Sequence, residues 1–136
     1  MDENSSNLIF KIIISMSRKI YHLSTCSTCK KIIAEIQPDQ TFELQDIKTE
    51  KISEAQLAEM QALAGNYESL FSRRARSYAA RGLKDQILTE EDYKNLILED
   101  YTFLKRPVIL FENQIFIGNS KKTVAAAIES IQNHSA

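Results

Sequence analysis

Apolar residues along this chain change their period several times, and each change predicts an element. Residues 19–24, with Ile20, Tyr21 and Leu23, read as a short strand. Cys29, Ile32, Ile33 and Ile36 follow the i, i+3, i+4, i+7 spacing of a helix stripe, so residues 28–37 are helical and stop near Pro38. Residues 41–47 alternate apolar and polar positions, the pattern of a half-exposed strand. Ser53 with Gln56 is a capping box that opens a helix running to Ala64, with Gly65 as its stop. Residues 67–80 are helical by propensity and rich in arginine until Gly82 breaks them. Thr89 starts another helix, with Tyr93, Leu96 and Ile97 on one face. Val108-Ile109-Leu110-Phe111 is a continuous apolar run, which suits a central strand covered on both faces. Glu112-Asn113 is a two-residue turn into a strand at Gln114-Ile115-Phe116-Ile117. Asn119 or Ser120 then caps a last helix carrying Val124, Ile128 and Ile131.

The first strand, helix and strand form a βαβ unit, whose crossover is right-handed. The full order is β-α-β, a helical insertion of about 50 residues, too long for a simple connection, and then β-β-α. The class is α/β. The two ends resemble a thioredoxin-like fold, with the insertion between them.

Composition narrows the setting. The chain has 136 residues, enough for one domain with a sizeable core, which residues 16–136 are expected to form. A net charge of −1 argues against nucleic-acid binding driven by overall charge. No apolar run is long enough to span a bilayer. Residues 8–14 resemble a weak signal-peptide core, but Asp2 and Glu3 precede them and no small-residue cleavage site follows. Residues 1–15 are therefore expected to be a flexible N-terminal extension, and the cytoplasm to be the location.

Chemistry concentrates where the first strand gives way to the first helix, at Cys26-Ser27-Thr28-Cys29. A helix N-terminus presents unpaired N–H groups and the positive end of the macrodipole, and both favour a thiolate. Cys29 shares the buried stripe, while Cys26 falls at the exposed tip one turn earlier. That is the layout of an attacking thiol beside a resolving thiol. Zinc is a poor alternative, because His22, Cys26 and Cys29 lack a fourth ligand. Two cysteines in a chain of this length are no disulfide framework either.

Pro107 opens the strand that begins the ββα half, where thioredoxin-like folds set a cis-proline beside the thiol. Arg106 before it would lower the thiol pKa and offer a bidentate fork to an oxyanion. Lys30 and Lys31 lie in the first turn of the first helix, where their charge favours an adjacent thiolate. Arg76, Arg81 and Lys84 read as a solvated face. Arg73 and Arg74, flanked by Leu70-Phe71 and Tyr78, suit either a packed segment or an anion site. His22 reads as a strand residue rather than a general base.

Three segments in order resemble the arsenate reductase family of the glutaredoxin-coupled type, which also holds the Spx-type regulators. They are Tyr21-His22-Leu23-Ser24-Thr25-Cys26-Ser27-Thr28-Cys29-Lys30-Lys31, then Leu70-Phe71-Ser72-Arg73-Arg74-Ala75-Arg76-Ser77-Tyr78 with Gly82-Leu83, then Leu104-Lys105-Arg106-Pro107-Val108. Gly118-Asn119-Ser120 is similar to the family's closing turn. The resemblance implies a thiol oxidoreductase in which Cys26 attacks a small oxyanion or a disulfide. Cys29 or glutathione would resolve the adduct, with a glutaredoxin or thioredoxin-type protein as reducing partner and no bound cofactor or metal. The alternative it offers is a redox-switch regulator of Spx type that binds RNA polymerase. Arg106 matches one of three arginines that hold the oxyanion in the reductases. The second falls on Ser72, while Arg74 matches the arginine of the Spx-like branches. The third falls near Gly118, where this chain has none. A second cysteine at position 29 also departs from the reductase pattern.

Overall fold

The computed structural model of the protein describes residues 17–134, so the extension expected over residues 1–15 lies outside the described residues. Four strands form one sheet: β1 (Ser17–His22), β2 (Glu43–Asp46), β3 (Val108–Glu112) and β4 (Gln114–Ile117). Their spatial order is β2-β1-β3-β4, with β1 and β2 parallel and the other pairs antiparallel. Among the described residues five α-helices accompany them: α1 (Ser27–Ile36), α2 (Glu54–Ala64), α3 (Arg76–Ala80), α4 (Glu90–Glu99) and α5 (Lys121–His134). The order β1-α1-β2, a helical insertion, and β3-β4-α5 is the thioredoxin-like arrangement expected from the pattern.

The apolar run of β3 explains the layering. Val108 and Leu110 face one core while Ile109 faces another, because successive strand residues point to opposite sides. On one side Ile109 and Ile20 meet Ile32 and Ile36 of α1 and Val124 and Ala127 of α5. On the other, Val108, Leu110 and Tyr21 meet the insertion through Leu57, Met60, Leu70, Phe71, Leu96, Ile97 and Phe103. The insertion is therefore a second half-core laid over the sheet.

Two expectations change. Residues 67–80 are not one helix. Glu68–Leu70 is a 3₁₀ turn, Phe71 is extended at φ −85° and ψ 129°, and only Arg76–Ala80 is α-helical. Tertiary packing overrides propensity here. Phe71 is fully buried, stacks on Phe103 at 5.1 Å between ring centroids and lies 4.9 Å from Tyr93. It also pairs antiparallel with Leu104, with Ser72 N–H donating to Phe103 O at 2.7 Å and Lys105 N–H to Leu70 O at 2.8 Å.

The second change concerns β2. Its buried residue is the polar Gln45, while Leu44 is 47% exposed and the next buried apolar residue, Ile47, lies just past the strand. Gln45 tolerates burial because Gln56 donates to its Oε1 at 2.8 Å and its Nε2 donates to Glu50 O at 3.0 Å. Gln56 is also the capping-box residue of α2, so one amide pair fixes both the strand and the helix start.

Tyr21 is fully buried, yet its hydroxyl has no hydrogen-bond partner among the described residues. Burial raises its pKa, so the group stays protonated. An unpaired buried hydroxyl is a net cost of about 1–3 kcal/mol. Tyr21→Phe is accordingly expected to leave stability unchanged or raise it by up to about 1 kcal/mol. Thermal unfolding checks this, and a loss beyond 1 kcal/mol would show that the hydroxyl has a partner after all.

Candidate active site

Cys26 is the N-cap of α1, in extended conformation at φ −94° and ψ 114°. Its N–H donates to Leu23 O at 2.9 Å, which closes the turn out of β1. Its own carbonyl accepts from Lys30 N–H at 3.1 Å and begins the helix. No side-chain cap closes this end and its first turn holds no acid, so the N–H groups of Thr28 and Cys29 are left to the Cys26 sulfur. Burial works to raise the Cys26 pKa. The Cys29 N–H, the Cys29 thiol, the Thr28 N–H and the Arg106 charge outweigh it and hold the pKa below its ordinary value.

Cys29 has the opposite environment. It is fully buried on the α1 stripe with Ile32 and Ile36. Burial pushes its pKa up to about 11; Leu23 and Arg106 oppose this, while the charge and hydrogen bonding of Cys26 reinforce it. Both cysteines are free thiols. The pair therefore divides into a thiol whose ionised form is favoured and a thiol that burial keeps protonated.

The Arg106–Pro107 peptide bond is cis, at the foot of β3. Arg106 Nη1 donates to Thr102 O at 3.4 Å and to Leu104 O at 3.3 Å, which sets the guanidinium on the thiol side of that segment. A cleft of about 530 Å³ opens in front of Cys26. It is lined by Phe71, Ser72, Arg73 and Arg74 from the insertion, by Lys105 and Arg106, and by Ile117, Gly118, Asn119 and Ser120 from the turn into α5. Four cations and no carboxylate face it, in a chain whose net charge is −1.

The predicted site residues separate here. Cys26, Arg74 and Arg106 share the cleft, and Cys29 lies directly beneath Cys26. Lys30 is exposed in the first turn of α1 and does not line it. Arg73 does line it, but its charge is engaged: Nη2 donates to Glu68 Oε2 and to Tyr93 OH, each at 3.0 Å, and the guanidinium lies over the Tyr93 ring. Arg74 is exposed, and its backbone N–H donates to Ser72 Oγ at 3.3 Å. Ser72 and Gly118 both line this same cleft. Lys105 and Asn119 were not singled out from the sequence as ligands. Alternation along an extended segment would set Lys105 on the side opposite Arg106, so its place in the cleft had no signal in the sequence, and Asn119 had none beyond its turn.

Among the described residues, no cluster of three or more His, Cys, Asp or Glu side chains could hold a metal ion. No helix among them is long and apolar enough to cross a membrane.

At neutral pH an alkylating agent is expected to label Cys26 and leave Cys29 unmodified. The pH profile of labelling should give an apparent pKa for Cys26 below the free value of about 8.5. Arg106→Ala should raise it by removing the nearby positive charge. Mass spectrometry of the labelled peptide checks both, and labelling of Cys29 first would reverse the assignment.

Comparison with known proteins agrees with this geometry. The ArsC family model matches residues 21–127, which span both cysteines, Arg74, Arg106 and Pro107. No curated protein matches the chain in sequence. Among solved structures, the chain is similar to the YffB (PA3664) protein, with 22% identity, a TM-score of 0.68 and coverage of 82% of this chain and 99% of that one. It is similar to the arsenate reductase from Vibrio cholerae, with 22% identity, a TM-score of 0.65 and coverage of 82% and 97%. An arsenate reductase (ArsC) related protein from Brucella melitensis is 21% identical, with a TM-score of 0.61 and coverage of 82% and 94%. At these identities the structures establish a shared fold, and the match of the family along most of the chain establishes membership: the protein belongs to the ArsC family, the arsenate reductase family.

Proposed function

We propose that the protein is an arsenate-reductase-like thiol oxidoreductase in which Cys26 attacks a small oxyanion or a disulfide. The observation that carries this reading is the Cys26 thiol at the open end of α1, facing a cleft with four cations and no carboxylate. With a disulfide, the Cys26 thiolate attacks one sulfur, forms a mixed disulfide and expels the other sulfur as a thiolate. Cys29 then gives up its proton and attacks the Cys26 sulfur, expelling the second thiolate and leaving a Cys26–Cys29 disulfide. An external dithiol, or two glutathione molecules through glutaredoxin, supplies the two electrons that restore both thiols. With arsenate, the Cys26 thiolate displaces a hydroxyl group from arsenic, which leaves as water. Glutathione then attacks the Cys26 sulfur, arsenic departs as arsenite with the S–As electron pair, and the Cys26–glutathione disulfide left behind is reduced by a second glutathione through glutaredoxin.

The cleft supports a substrate larger than a lone oxyanion. About 530 Å³ lies within the range of about 300–1,000 Å³ typical of small organic ligands. The family resemblance sets the reductases' two further arginines at Ser72 and near Gly118, and both of these residues line the cleft. Each missing charge-assisted ligand costs about 1.5–3 kcal/mol, or roughly one to two decades in affinity. Arsenate is thus expected to be the poorer substrate.

Turnover of arsenate and of a small disulfide, each with and without glutathione and glutaredoxin, tests the reading. Cys26→Ser is expected to abolish both activities. Cys29→Ser should retain the first step and accumulate a mixed disulfide on Cys26, visible by intact mass. Identical behaviour of the two variants would overturn the assigned roles.

A further inference from the structure

The Arg106 guanidinium donates to two carbonyls, Thr102 O and Leu104 O, in a segment that opens six positions upstream at Asp100. Asp100 ends α4 and caps the 3₁₀ turn Tyr101–Phe103. Its Oδ1 accepts from Thr102 N–H at 2.9 Å and from Thr102 Oγ1 at 2.7 Å, and its Oδ2 accepts from Ser77 Oγ of α3 at 3.3 Å. Its backbone carbonyl accepts from Phe103 N–H at 3.0 Å. The nearby Arg81 forms its ion pair with Glu99 instead, at 2.7 Å. The Asp100 carboxylate is therefore engaged by neutral donors that shape one turn, rather than by a surface cation. That turn carries Thr102 O, and Leu104 O follows it; these two carbonyls accept from Arg106 Nη1.

We infer that Asp100 is a positioning residue for the thiol chemistry: through the Tyr101–Phe103 turn it fixes the two carbonyls on which the Arg106 guanidinium rests beside Cys26. The inference rests on the proposed role of Cys26 as nucleophile. It assigns a function to a carboxylate outside the cleft, and it makes a prediction of sign. A carboxylate acting on Cys26 through its own charge disfavours the thiolate, so its removal would lower the thiol pKa. A carboxylate acting through Arg106 does the reverse. Removing it frees the guanidinium and raises the pKa.

The test is the pH profile of Cys26 alkylation in the wild type, Asp100→Ala, Arg106→Ala and the double variant. Asp100→Ala should raise the apparent pKa and slow alkylation at a fixed pH below it by roughly three- to tenfold. In the Arg106→Ala background the same substitution should have no further effect, because the residue it acts through is gone. Asp100→Asn, which keeps an acceptor for Thr102 N–H, should restore most of the rate. If Asp100→Ala fails to fold, Thr102→Val deletes only the hydroxyl donor and should give a smaller slowing, about twofold, that also vanishes without Arg106. A low wild-type pKa that these substitutions leave unchanged or lower overturns this inference alone. So does an equal effect with and without Arg106. An ordinary Cys26 pKa in the wild type overturns both this inference and the function beneath it.

Discussion

The uncapped N-terminus of α1 is the constraint on which the site depends. Most helices satisfy their first N–H groups with a serine, threonine or aspartate side chain. Here the N-cap is Cys26 and no acid stands in the first turn, so the partial positive charge of the helix end acts on a sulfur atom. The position of that end is set by the sheet. Tyr21 pairs with Val108 at the foot of β3 and with Gln45 of β2, so β1 delivers the turn at Leu23–Cys26 beside Arg106 and the cis Pro107. The thiol, the arginine and the proline meet because β1 and β3 are neighbours in the centre of the sheet.

The insertion completes the site rather than decorating it. Its half-core is anchored by Phe71, whose stacking on Phe103 and pairing with Leu104 tie the middle of the insertion to its last residues before β3. Had residues 67–80 been one helix, Phe71 could not pair with Leu104 as a strand residue does. The extended backbone at Phe71 is thus what turns Ser72, Arg73 and Arg74 toward Cys26. Packing energy from one aromatic residue is converted into placement of the cations.

Much of this was legible in the chain because local and tertiary preferences agree. The continuous run of β3, the stripe of α1 and the capping boxes of α2 and α4 all specify their elements without outside help. The stretch at Phe71 was not legible, because its helical propensity is strong and the aromatic partners that override it lie over twenty residues away. The buried face of β2 was equally hidden, since only Gln56 and the Glu50 carbonyl make Gln45 a tolerable core residue. For the site, Cys26, Arg106 and Pro107 were readable from spacing and from their places in the element order. The inequality between Arg73 and Arg74 was not, because it depends on Glu68 and Tyr93 closing on the first and leaving the second to the cleft.

The two cysteines also carry an order of events in their electrostatics. Burial holds the Cys29 proton most strongly, and the negative charge and hydrogen bonding of Cys26 add to that. While Cys26 is a thiolate, Cys29 is therefore a donor to it and a poor nucleophile. In the proposed cycle, the first attack converts Cys26 into a neutral mixed disulfide and removes both contributions at once. The Arg106 charge and the Leu23 backbone, which favour the Cys29 thiolate, are then opposed by burial alone. Loss of the Cys29 proton becomes easier at the step that requires it. Only the substrate supplies the oxidising equivalents for a Cys26–Cys29 disulfide, and in the proposed cycle the unequal environments of the two thiols set which of them attacks it first.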